Sequence, residues 1–138
     1  MKKHSDEMLI RSIIEAYQKD ESELGRFLKP YGISLQQYNV LRILKGAKKP
    51  LSTSVIRERM IQPMTDASRL VARLSLKGWV LRVSCSTDKR LVDVTITSKG
   101  EEFLKSISSI DQVIENIYSK INQNEAYTLN HLLNKMRG

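Results

Sequence analysis

The chain has 138 residues, 41% hydrophobic and 28% charged, with 23 Lys and Arg against 15 Asp and Glu for a net charge of +8. That length suits one domain with its own core, and the residue balance excludes a disordered or collagen-like chain. No apolar run reaches the roughly 20 residues of a membrane span, no signal-peptide core follows the early acidic Asp6 and Glu7, and the single Cys85 can close no internal disulfide, which makes a reducing cytoplasm the expected setting.

From Ser5 to Lys29, apolar residues recur at helical spacing through Leu9, Ile13, Tyr17, Leu24 and Phe27, with Met8, Ile10 and Ile14 beside them. Pro30 stops that helix, because it disfavours helical backbone at the residue before it. The apolar set around Met8, Ile10 and Ile14 is broad for a helix packed on one side only, and predicts contact with a second subunit. Ser34 with Gln37 forms a capping-box pattern. It opens a helix carrying Leu35, Tyr38, Leu41 and Leu44, closed by Lys45-Gly46. Lys48-Lys49-Pro50-Leu51 reads as a turn, after which Ser52 or Thr53 caps a short helix with Val55, Ile56, Met60 and Ile61.

A tight Gln62-Pro63 link then leads into the stretch around which the chain is organised, residues 63–78. Met64, Ala67, Leu70, Val71 and Leu74 fall on one face of this helix, and Thr65, Asp66, Arg69, Arg73 and Leu76 towards the other. Pro63 suits a first helical turn and Gly78 the residue past the end. Two short helices on a short turn, the second presenting arginines, form a helix-turn-helix, whose second helix fits the major groove.

After Gly78 the period changes to two. Residues 79–84 and 91–96 are rich in β-branched and aromatic side chains and flank a polar, basic tip at residues 85–90. The pair reads as a hairpin wing. Thr97 or Ser98 then caps a helix whose isoleucines at 107, 110, 114, 117 and 121 extend to about Asn122, and a last helix runs from about Glu125 to Met136 with Leu129, Leu132 and Leu133. The fold class is therefore mainly α with a small β-hairpin wing. The winged helix-turn-helix occupies residues 34–99 of one domain spanning 1–138, and helices at 5–29 and 100–137 serve dimerisation.

The charge sits where this arrangement needs it. Residues 45–99 carry 12 basic and 4 acidic side chains, while the segments on either side are close to neutral. A basic centre between neutral flanks fits a nucleic-acid-binding module held in a larger scaffold.

In this order of parts the chain resembles the MarR family of bacterial transcription regulators. The residues that carry the resemblance are Ile33-Ser34-x-x-Gln37-Tyr38-x-Val40-Leu41, Ser68-Arg69-Leu70-Val71-x-Arg73-Leu74-x-x-Lys77-Gly78-Trp79-Val80-x-Arg82, Asp88-Lys89-Arg90 and Ile96-Thr97-x-Lys99-Gly100. The resemblance implies a homodimer with entwined terminal helices, bound to a pseudo-palindromic DNA operator, and a ligand-responsive repressor with a small-molecule effector as a further partner. It places DNA contacts at Thr65, Asp66, Ser68, Arg69 and Arg73 of the recognition helix and at Asp88, Lys89 and Arg90 of the wing. The dimer interface is expected at Met8, Ile10, Ile14, Ile114, Ile117, Ile121, Leu129 and Leu133.

Two departures carry expectations of their own. Ile56-Arg57 stands where the family often has Leu-Ala, which predicts looser or rotated packing there. Asp66 would repel phosphate, so it is expected to cap the helix or read cytosine. At the wing tip, Asp88 is expected to orient the guanidinium of Arg90 towards the minor groove.

His4, His131 and Cys85 do not form a metal site of recognisable spacing, and no cofactor is expected. No paired carboxylates, Ser-His-Asp set or Gly-rich phosphate loop points to an enzyme. Arg82, Lys89 and Arg90 near Cys85 would favour its thiolate, although a lone hairpin cysteine is usually inert. Two rival readings remain, a non-specific nucleoid-type DNA binder and a winged helix used for protein–protein contact.

Overall fold

The computed structural model describes residues 2–61, 66–84, 87–88 and 91–138, apart from the side chains of Lys3 and His4. In chain order the elements are α1 (Lys2–Leu28), a 3-10 turn (Lys29–Tyr31), α2 (Leu35–Ala47), β1 (Leu51–Ser52), α3 (Thr53–Arg59), α4 (Ala67–Leu76), β2 (Val80–Ser84), β3 (Val92–Ile96), α5 (Ser98–Ser106), α6 (Ile110–Ile117) and α7 (Gln123–Arg137).

Local chemistry sets most of the boundaries. Gly32 ends the turn after α1 in the left-handed region (φ 71°), its N–H on the Lys29 carbonyl at 3.0 Å. Ser34 and Gln37 form both bonds of the capping box at 3.1 Å each. Ser52 caps α3, and Asn122 with Glu125 forms a second capping box at α7. So Asn122, expected at the end of the preceding helix, is the N-cap of the next. The end of α2 also differs from expectation. The helix runs past Gly46 to Ala47, and the left-handed reversal falls on Lys48 (φ 55°), because Lys49 precedes Pro50 and favours extended backbone.

The sheet has three antiparallel strands in the order β1-β3-β2. Leu51, expected in a turn, and Ser52, expected as a helix cap, pair with Val94 and Asp93 as a third strand. β2 and β3 form the expected hairpin, with Val80 opposite Ile96 and Ser84 opposite Val92. Leu28, Val40, Leu41, Leu44, Ile56, Val71, Leu74, Val94 and Ile107 are fully buried, so the core joins the end of α1 to α2, α3, α4, the sheet and α5. Ile56 is fully enclosed in that core, which corrects the expectation of looser packing at Ile56-Arg57: the isoleucine fills the space and Arg57 points outward.

One junction ties the helix-turn-helix to the wing and to α5. Gly78 turns the chain out of α4 at φ 77°. The Thr97 hydroxyl donates to the Gly78 carbonyl at 2.6 Å and accepts the Gly100 N–H at 3.1 Å, while the Thr97 N–H donates to the Trp79 carbonyl at 3.0 Å. The first turn of α5 is thereby pressed against the start of β2. A Cβ on Gly100 would lie 2.3 Å from the Trp79 carbonyl oxygen, so only glycine fits. The Trp79 ring stacks on Phe103 with centroids 4.0 Å apart. On Trp79 also rests the Lys77 ammonium, 4.7 Å from the ring centroid, which donates to the Gly32 carbonyl at the end of the first helical segment.

The single long helix expected over residues 98–122 is broken. After α5, the N–H groups of Ser108, Ile110, Asp111 and Gln112 bond three residues back, the pattern of a tightened 3-10 turn. The segment is Ser106-Ile107-Ser108-Ser109, and the Ser106 hydroxyl donates to the Phe103 carbonyl at 2.6 Å. Serine side chains that compete for backbone groups favour such an interruption, and Ile107 and Ile110 on either side of it are both in the core. Beyond it, α6 packs on α1. There the Tyr118 hydroxyl donates to Asp20 Oδ2 at 2.8 Å; burial, then that bond to a carboxylate, pushes its pKa up to about 12.

Candidate nucleic-acid interface

α4 is amphipathic as expected. Ala67, Leu70, Val71 and Leu74 are buried, each of the larger ones contributing about 1.5–3 kcal/mol by leaving water. Ser68, Arg69, Arg73 and Leu76 are exposed. Three and four residues apart bring Asp66, Arg69 and Arg73 onto one side of the helix, and they rim a shallow concavity of about 200 Å³ with Leu70 at its base. The Asp66 carboxylate lies 4.0 Å from the Arg69 guanidinium. Asp66 occupies the N-cap position yet makes no side-chain cap bond, which corrects the capping expectation.

The chain's exit from α3 is held by a residue that sequence reasoning missed. The Ile61 N–H, just past the end of α3, donates to the Asn39 side-chain oxygen at 2.9 Å. Asn39 is a polar residue inside α2, where a good helix former would otherwise serve better; that mismatch is the signal that could have found it. Its bond fixes the chain's exit from α3.

Of the residues singled out for DNA contact, Asp66, Ser68, Arg69 and Arg73 share the outer side of α4. Thr65, Lys89 and Arg90 lie outside the described residues, as does Cys85. Asp88 is half-buried at the wing, and its carbonyl accepts the Leu91 N–H at 3.0 Å. The exposed arginines of α3, Arg57 and Arg59, and Arg82 on β2 extend the cationic surface. Lys77 does not, since its charge is engaged within the fold.

The residues singled out for self-association, apart from Ile121 in the link between α6 and α7, lie on α1, α6 and α7. On α1, Met8 is 57% and Ile10 59% exposed, with Ile14 alongside. α7 has no buried residue; Leu129 is exposed and Leu133 half-buried, and Leu132, Tyr127 and Met136 add to the open surface. Ile114, Ile117 and Ile121 are half-buried, Ile114 already packed against the core. Among the described residues no group of three or more His, Cys, Asp or Glu could hold a metal ion, and no helix is long and apolar enough to cross a membrane.

Residues 31–91, which hold the helix-turn-helix and the first strand of the wing, match the family model described as the MarR family. In its whole fold the chain superposes on the crystal structure of a mutant MarR from Escherichia coli complexed with operator DNA, with a TM-score of 0.82 and 26% identity, covering 93% of this chain and 92% of that one. In sequence and in fold the chain is similar to MarR-family regulators. Two curated relatives agree. The HTH-type transcriptional regulator PrsX of Escherichia coli is 28% identical over 75% of this chain, a match that spans only 63% of that relative's own length. The multiple antibiotic resistance protein MarR of Escherichia coli K12 is 27% identical over 86% of this chain and 83% of its own. In this MarR-like fold, α4 holds the place of the second helix of the helix-turn-helix and the β2–β3 hairpin that of the wing.

Proposed function

We propose that this protein is a sequence-specific DNA-binding transcriptional regulator that acts as a homodimer on a pseudo-palindromic operator. The observation that carries the reading is the outer side of α4. Arg69 and Arg73 stand exposed one turn apart on a helix whose other side is locked into the core. The superposable MarR chain is bound to operator DNA. Bidentate guanidinium contacts to guanine are the commonest specific contact in the major groove. Thr65, Asp66, Ser68, Arg69 and Arg73 form the base- and backbone-contacting set, with Asp88, Lys89 and Arg90 at the wing. Repression, and its adjustment by a small-molecule effector, follow from the family resemblance alone.

The test is a binding titration of operator and scrambled duplexes over a range of salt. The expected result is a steep negative salt slope for both, from phosphate contact, and tighter binding of the operator by at least about a thousandfold. Equal affinities would establish the nucleoid-type reading instead, and a flat slope would exclude contact with the DNA backbone.

The dimer reading rests on the open apolar faces of α1 and α7. Surface of that kind, contiguous along two helices, marks an interface in a protein that stays in solution. Met8, Ile10, Ile14, Ile114, Ile117, Ile121, Leu129 and Leu133 are its expected members. In such a dimer the two recognition helices stand about 34 Å apart, one turn of DNA. Sedimentation at micromolar concentration should give twice the chain mass; a folded monomer there would defeat this assembly.

A further inference from the structure

The first turn of α4 carries a carboxylate where a helix built to approach DNA would be expected to avoid one. Asp66 has the N-cap position, but its backbone (φ −106°, ψ 34°) is not extended, and no cap bond forms. Ser34, Ser52, Thr97 and Asn122 all have extended backbone at their N-caps and all make that bond. Released from capping, the Asp66 carboxylate lies along the outer side of the helix. Its Oδ2 is 4.0 Å from Arg69 Nη1, the two side chains being 65% and 67% exposed. An exposed pair of this kind contributes next to nothing to stability. Folding therefore does not account for it.

The chemistry of the concavity does. Arg69 and Arg73 bring donors to it and Asp66 brings an acceptor with a negative charge. A backbone phosphate offers acceptors only, and the carboxylate repels it. A base edge offers both kinds of group, acceptors O6 and N7 on guanine and amino donors on cytosine and adenine. A carboxylate beside a guanidinium also restricts where the planar fork points, and bidentate reading depends on that direction.

We propose that Asp66 is a specificity-determining residue: it holds Arg69 in the orientation that reads guanine and makes the concavity between Arg69 and Arg73 hostile to backbone phosphate. This inference rests on the DNA-binding reading above. It assigns Asp66 a cost in raw affinity and a gain in discrimination.

The experiment uses an operator recovered from a random duplex library by the wild-type protein, with each guanine replaced in turn by 7-deazaguanine, which lacks the N7 acceptor. At one guanine the replacement should cost the wild type about tenfold in affinity. In Asp66→Ala the same replacement should cost less than about threefold, because the fork is no longer held. Asp66→Ala should also bind scrambled duplex several-fold tighter at low salt, the repulsion having gone. Asp66→Asn keeps the size and an acceptor but removes the charge; it should gain scrambled-duplex affinity while retaining part of the guanine dependence. If Asp66→Ala fails to fold, Asp66→Asn decides by those two readouts. Wild-type discrimination and wild-type guanine dependence in the variants would overturn the inference while leaving the DNA-binding reading intact. A wild-type protein that binds neither duplex would overturn both.

Discussion

Gly100→Ala is expected to lower the melting temperature of this protein by about 10 °C, a loss of about 3 kcal/mol. Helix propensity alone gives the opposite sign, because alanine is favoured over glycine inside a helix by up to about 1 kcal/mol. Gly100 is in the first turn of α5, and the added Cβ would stand 2.3 Å from the Trp79 carbonyl oxygen and 2.8 Å from the Ile96 side chain. The isoleucine could yield. The carbonyl cannot, because it accepts the Thr97 N–H in the same junction. Relief must come from lifting α5 off β2, which would break the Thr97 bonds to Gly78 and Gly100 and part the Trp79–Phe103 stack. A thermal melt followed by circular dichroism measures the effect. A melting temperature equal to or above that of the wild type would show that the junction is soft.

Removing the Arg69 guanidinium is expected to have the largest effect on binding. A base-reading arginine contributes about 1–3 kcal/mol per half-site. A homodimer on two half-sites doubles this, so Arg69→Ala should weaken operator binding by roughly thirtyfold at the low end and above ten-thousandfold at the high end. Arg69→Lys keeps the charge but loses the planar fork, and most of the loss should remain. Binding of scrambled DNA should fall far less. Arg73→Ala is the companion measurement. If Arg73 holds phosphate, the substitution weakens all sequences alike and flattens the salt slope by about one. Should both alanine variants keep wild-type affinity and sequence preference, α4 is not the reader.

Much of this arrangement was legible from the order of residues alone. The face of α4 with Ala67, Leu70, Val71 and Leu74 follows from helical spacing, and these residues are buried. Ser34 with Gln37 announces the start of α2 because the capping box is a local device needing no tertiary partner. The hairpin is legible for the same reason. What was not legible depended on the rest of the fold. Two residues, Leu51 and Ser52, are too short to show a strand period, and β3 alone makes them a strand. Isoleucines at threes and fours predict one long helix to about residue 122, since periodicity records which side is apolar and not whether the helix is interrupted. The serines at 106, 108 and 109 were the local warning.

At the site, Arg69 and Arg73 were found by spacing, whereas Asn39 escaped because its work is a bond to Ile61, 22 residues away. Asp66 escaped in a different sense. Its residue type and position both indicate an N-cap, and only its backbone angles show that it is not acting as one.

The junction around Trp79 gives this protein an optical property of its own. Trp79 is the only tryptophan in the chain, so all of its indole fluorescence arises from one place. That place is where the end of α4, the first strand of the wing and the start of α5 meet, with Phe103 stacked on the ring and the Lys77 ammonium 4.7 Å from its centroid. A cation against the ring and a largely enclosed indole make both emission wavelength and quenching sensitive to small displacements of these three elements. Any event that moves α4 relative to the β2–β3 hairpin is thus written into the intrinsic emission, with no label attached and no surface residue disturbed.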